Sequence, residues 1–72
     1  MIKTLTKVNS SMIYAVGYDP EEELLVVVFT RGKIWEYEGV PKEEFENLMK
    51  SKSIGSYMRS NIIGCYSDFL IS

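Results

Sequence analysis

Leu24-Leu25-Val26-Val27-Val28-Phe29-Thr30-Arg31-Gly32-Lys33-Ile34-Trp35-Glu36-Tyr37-Glu38 is the stretch on which the fold turns. Its first six residues are rich in β-branched and aromatic side chains, which suit a pleated strand. Thr30-Arg31-Gly32 interrupts the run, and an extended pattern resumes at Lys33. This reads as a hairpin with a three-residue loop whose glycine takes the left-handed conformation. That loop length pairs Phe29 with Lys33, Val27 with Trp35 and Leu25 with Tyr37. Leu25, Val27, Phe29, Trp35 and Tyr37 then share one face, which we take as the core face. A two-residue loop would change the parity and set Glu36 opposite Phe29. Burying that carboxylate is costly, so the three-residue loop is preferred. The opposite face carries Leu24, Val26, Val28 and Ile34 beside Glu36 and Glu38. It is unusually apolar for a solvated face, and a further strand or a partner subunit would cover it.

Outward from the hairpin, residues 12 to 18 alternate as a strand should, with Met12, Tyr14, Val16 and Tyr18 against Ile13, Ala15 and Gly17. Asp19-Pro20 stops that strand. Residues 2 to 8 and residues 65 to 71 are candidate edge strands at the two termini. Val40-Pro41 marks the change to helix, since proline fits a first helical position. Glu43 and Glu44 suit the positive end of that helix, and Lys50 and Lys52 lie at or past its negative end. Phe45, Leu48 and Met49 form its packing stripe. Ser53 can cap a second helix, in which Ile54, Tyr57, Met58 and Ile62 recur on one side. Gly64 would end it through the left-handed route. The chain is therefore expected to be α+β, a small antiparallel three-strand meander with optional edge strands, followed by two short helices packed on one face.

At 72 residues the chain is expected to form a single domain over residues 1–72. A lone cysteine, Cys65, closes no intrachain disulfide, and a chain without histidine lacks the usual zinc set. No metal or cofactor is expected, and self-association is the stabilising route that remains. The lone thiol suits a reducing compartment, so a cytoplasmic location is expected. No stretch reads as a signal peptide, and the apolar run from Leu24 to Phe29 is too short to span a bilayer.

The net charge of −2 is unevenly spread. Residues 19–46 hold nine of the ten acids, whereas residues 47–67 hold no acid and three cations, Lys50, Lys52 and Arg59. The overall balance argues against a general nucleic-acid binder, but an anion suits the C-terminal third. Absence of histidine removes the common general base and leaves Cys65 without an activating imidazole, so no catalytic residues are expected. The glycines form no phosphate loop. Ser53, Gly55 and Ser56 open the second helix, where free N–H groups can hold an anion, and Arg59 follows within two turns. Tyr57 and Tyr66 are candidate stacking faces, as are Trp35 and Tyr37, and Ser11 offers a hydroxyl before the first strand.

The order of these pieces resembles a known family. Val8-Asn9-Ser10-Ser11-Met12-Ile13 is followed by Val16-Gly17-Tyr18-Asp19-Pro20, then by alternating Leu25, Val27 and Phe29. Trp35-Glu36-Tyr37, Gly39-Val40-Pro41, Ser53, Gly55 and Tyr57 come next, ahead of Ile62, Gly64 and Tyr66. Together they resemble the KTSC domain, a module of some lysyl-tRNA synthetase C-termini that also stands alone in bacterial and phage proteins. The resemblance implies RNA binding as a role suggested by domain context. The chain departs from the family pattern at Ile63 and Cys65, where cations are usual, and at Trp35, where the first tyrosine of the central pair is usual.

Three readings follow. The first is a non-enzymatic binding module for a nucleotide-like or nucleic-acid anion at the second helix start. The second is an oligomer that holds a small nucleotide between subunits. The third is a protein-interaction module. Either of the last two would assemble through Val26, Val28 and Ile34.

Overall fold

The computed structural model describes residues 4–72. Five strands form one antiparallel sheet in sequence order: β1 (Thr6–Lys7), β2 (Ile13–Asp19), β3 (Leu24–Phe29), β4 (Ile34–Glu38) and β5 (Ser67–Leu70). Between β4 and β5 the chain forms α1 (Lys42–Lys50), α2 (Ile54–Tyr57) and a π-helical turn, Met58–Ile62. The fold is α+β, and the expected three-strand meander is the centre of a five-stranded sheet. Both termini supply edge strands. The N-terminal strand expected over residues 2 to 8 is only Thr6–Lys7 among the described residues: Thr4, Leu5 and Val8 are not in it, and residues 2 and 3 lie outside the described residues.

The hairpin register is the one the loop argument requires. Leu25 pairs with Tyr37 and Val27 with Trp35, and Phe29 N–H donates to the Lys33 carbonyl at 2.8 Å. Gly32 sits at φ 95°, a conformation that excludes most side chains. Strand β2 departs from simple alternation. Ile13 pairs with Phe29 and Ala15 with Val28, so Tyr14 is the extra residue of a bulge. The bulge puts Ile13, Val16 and Tyr18 on the core face, and Tyr14 is left exposed.

Both helices cover that face. Ile13, Val16, Leu25, Val27, Tyr37 and Val40 pack with Leu48 of α1 and with Met58 and Ile62 of the π-helical turn. Phe29 and Trp35 are half-buried against this cluster rather than inside it. The entry to α1 is fixed by Tyr18, whose ring stacks on Phe45 at 4.6 Å and whose hydroxyl donates to the Val40 carbonyl at 2.5 Å. Pro41, expected as the first helical residue, is instead the N-cap of α1 at ψ 154°, and the helix begins one position later at Lys42. The Pro41 carbonyl accepts the opening helical bonds from Glu44 and Phe45. Ser53 caps α2, and Gly64 follows the π-helical turn at φ 84°.

Candidate functional site

The tip of the β3–β4 hairpin is tied to the segment that leads into β2. Thr30 N–H donates to the Met12 carbonyl, and the Thr30 hydroxyl donates to the Ser11 carbonyl, each at 3.0 Å. Ser10 Oγ accepts from the Met12 and Ile13 N–H groups at 3.1 and 3.2 Å. These bonds make the hairpin tip and residues 10–12 one wall. The facing wall is α2 and the π-helical turn. Gly55 is buried there, and a Cβ on it would lie 3.4 Å from Met12 Sδ and 3.7 Å from Ser10 Oγ.

Two cavities open along this seam, and both are lined by Ser11, Met12 and Arg59, so they adjoin and are described together as the groove. The larger, about 430 Å³, adds Phe29, Trp35, Arg31 and Lys33. The smaller, about 230 Å³, adds Asn9, Ser10, Lys52 and Ser53. Arg31, Lys33, Lys52 and Arg59 are four of the chain's eight cations, and no carboxylate lines either cavity among the described residues. A local positive field therefore exists on a chain of net charge −2. Arg59 Nη1 lies 3.3 Å from Met12 Sδ, a weak acceptor that leaves the guanidinium free to take a stronger one. Trp35 and Phe29 give the larger cavity aromatic surface.

Of the residues the sequence points to, Ser11, Ser53, Gly55 and Arg59 are brought together in the groove. The helix start itself differs from expectation. α2 has only four residues, Ser53 Oγ accepts the Ser56 N–H at 3.3 Å, and the Ser53 carbonyl accepts the Tyr57 N–H. The Ser56 N–H is spent on the cap, the Tyr57 N–H makes the regular helical bond, and the full positive charges at this end are the Lys52 and Arg59 side chains. Ser56 lines neither cavity.

Tyr57 and Tyr66 are placed elsewhere. Both hydroxyls donate to the Glu44 carboxylate, Tyr57 to Oε1 and Tyr66 to Oε2 at 2.8 Å. Glu44 thus ties α1 to α2 and to the segment before β5. The bond to Glu44 raises the Tyr57 pKa. Burial, with the Glu44 bond second, pushes Tyr66 up to about 12. Both are neutral donors near neutral pH, in a structural clamp.

Arg31 and Lys33 escape a reading of the sequence, whereas Trp35 is among its candidate stacking faces and Lys52 among the cations of its C-terminal third. Arg31 and Lys33 flank the loop glycine, where a cation is usually a solvated turn residue. Only the long-range bonds from Thr30 to Ser11 and Met12, with Arg59 lining the same cavity, show that this loop borders the π-helical turn. A separate cavity of about 320 Å³ beside the start of α1 sets Lys42 against Glu46 and has no comparable cation set. Among the described residues no cluster of three or more metal-ligating side chains occurs, and no helix is long and apolar enough to cross a membrane.

Comparison with known proteins agrees with the architecture. An uncharacterised protein of Stutzerimonas stutzeri is 39% identical over 49 residues, covering 68% of this chain and 69% of that one. A protein of Tsukamurella paurometabola is 43% identical over 51 residues, covering 71% of this chain and 76% of that one. The crystal structure of a KTSC domain protein from Yersinia pestis superposes with a TM-score of 0.90 at 31% identity, covering 96% of this chain and 97% of its own. The KTSC domain model matches residues 9–66. That span runs from the Asn9 wall of the groove to the Tyr66 clamp, and the chain belongs to the KTSC domain family.

Proposed function

We propose that this protein is a non-enzymatic binding module whose groove takes a nucleotide-like or nucleic-acid anion. The observation that supports the reading is the gathering of Arg31, Lys33, Lys52 and Arg59 around Trp35 and Phe29, with no carboxylate among them. Guanidinium and ammonium groups suit phosphate oxygens, and Arg59 can offer two parallel donors. An aromatic ring beside those cations suits a base, and each stacked base contributes ~1–3 kcal/mol. A chain without histidine has no ready general base, which favours binding over catalysis. The exposed Cys65 thiol is compatible with a reducing, cytoplasmic setting.

Trp35 is the chain's one tryptophan, so its fluorescence reports the groove directly. Titration with mononucleotides, cyclic nucleotides and short oligonucleotides should give saturable quenching that weakens as salt is raised. Arg59→Ala should lower affinity more than tenfold, as expected for losing a charge-assisted bond of ~1.5–3 kcal/mol. Unchanged affinity in that variant, or no binding across the panel, would refute the reading.

A second reading concerns assembly. Val26, Val28 and Ile34 are only half-buried, and Phe69, opposite Glu36 on the same face, is 49% exposed. This face suits contact with a second copy.

A further inference from the structure

The groove has two chemically unlike halves. The larger half holds aromatic surface, Trp35 and Phe29, and two cations of its own, Arg31 and Lys33. The smaller half has no aromatic residue; it offers the hydroxyls of Ser10 and Ser53, the Asn9 amide and Lys52. Arg59, with Ser11 and Met12, borders both. The aromatic surface is thus served by cations of three kinds: some confined to its own half, one at the divide, and one confined to the other half. Arg31, Lys33, Lys52 and Arg59 are all exposed, so the groove is open to water along this line.

Resting on the reading of the groove as a nucleotide site, we infer that its ligand is an internal piece of a single strand rather than a free mononucleotide. The base stacks in the larger half on Trp35 or Phe29. One phosphate lies at Arg59 and Lys52, with its sugar among the Ser10, Ser53 and Asn9 groups. The next phosphate along the strand lies at Arg31 and Lys33. A mononucleotide carries charge at one end and leaves one of these cation sets unused. A polymer carries a phosphate on each side of every internal base and uses both. A duplex is a poor fit, because its bases are already stacked and paired and cannot enter the aromatic half. Stacking on an indole or phenyl face is tolerant of base identity, so sequence preference should be weak.

The test compares a nucleoside 5′-monophosphate, the matching nucleoside 3′,5′-bisphosphate, a short single-stranded oligonucleotide in RNA and DNA forms, and its duplex. Binding is read by Trp35 fluorescence and calorimetry. The single strand should bind at least tenfold more tightly than the monophosphate, with the bisphosphate between them. Its affinity should fall with log salt at a slope near −1.4, about −0.7 for each of two phosphates. Lys33→Ala and Lys52→Ala, checked for folding by circular dichroism, should each make that slope shallower, by at most about 0.7 because a second cation stays on each phosphate. A monophosphate or a duplex that binds as tightly as the single strand would overturn this inference and leave the nucleotide site standing. Failure of every ligand to bind would overturn both.

Discussion

Trp35 lies partly against the core cluster and partly along the groove, and this divided environment sets what its removal would do. Full burial would make Trp35→Ala cost about 3–5 kcal/mol. With one side of the indole already facing the groove, we expect nearer 2 kcal/mol, since less surface leaves the interior and water can fill much of the space left. Urea denaturation followed by circular dichroism measures this. A variant too unstable to fold would mean the ring belongs to the core alone. Leu25→Ala, at a fully buried position, should cost more than Trp35→Ala. The same residue shows how far a single sequence can be read. Its partner Val27 and its face follow from the loop length and the cost of burying Glu36. Its second role depends on Arg59 arriving from α2 and the π-helical turn, and no local pattern encodes that approach. Tyr57 and Tyr66 mark the converse limit. An aromatic side chain near cations looks like a stacking surface in sequence, yet both hydroxyls are held by Glu44, whose position in the first turn of α1 suggests only an interaction with the helix dipole.

At the scale of elements, two connections hold the groove in shape. The hairpin loop aims Arg31 and Lys33, and it depends on Gly32 at φ 95°. A Cβ at Gly32 would meet nothing within 4 Å, so a substitution there acts through the backbone alone. Gly32→Val should cost about 1–3 kcal/mol and Gly32→Asn less, because asparagine tolerates the left-handed region. Chemical denaturation of the pair checks the order, and equal costs would contradict a backbone origin. The second connection is the Glu44 clamp. Tyr18 and Tyr37 are raised chiefly by burial, as is Tyr66, whereas Tyr57 is raised first by its bond to Glu44. Groups whose folded pKa is raised stabilise the fold below the unfolded value near 10, and this stabilisation is lost as pH climbs through the folded value. Stability should therefore fall between about pH 10 and 12, the upper bound set by Tyr66. Glu44→Gln should bring the Tyr57 titration down more than that of Tyr66, because burial still acts on the latter. Tyrosinate absorbance, with Tyr57→Phe and Tyr66→Phe to assign the steps, follows both. A larger drop for Tyr66 would reverse the assignment of causes.

At the scale of the whole molecule, the sheet has one face under the helices and one face without helical cover. On the second face Val26 pairs with Glu36 and Val28 with Ile34, and Phe69 of the edge strand stands beside Glu36. The apolar character of this face is legible in the sequence, since Val26, Val28 and Ile34 alternate with the core positions. The addition of Phe69 is not, because the pairing of β5 with β4 brings together residues some thirty positions apart across both helices. Such a long closure leaves no local signature beyond a few extended-looking residues. Edge strands with exposed apolar side chains are natural places for chains to meet, and Phe69, Leu70 and Ile71 are each about half exposed. If copies associate through this face, the wild-type chain should sediment as a species larger than a monomer at high micromolar concentration. Val28→Lys would place an ammonium in the centre of the contact and should return the monomer. Because Val28 is half-buried within one chain, its replacement tests folding as well as association. Phe69→Lys, at an exposed edge position, separates the two effects: it should weaken association with little loss of stability. A wild-type chain that sediments as a monomer throughout would remove the oligomer reading and leave the groove as the proposed binding surface. Association that persists undiminished in both lysine variants would instead move the contact to another surface. Neither result bears on the proposed nucleotide binding, because Val28, Ile34 and Phe69 are absent from the groove lining and the cations of the groove lie at the hairpin tip, just before α2 and in the π-helical turn.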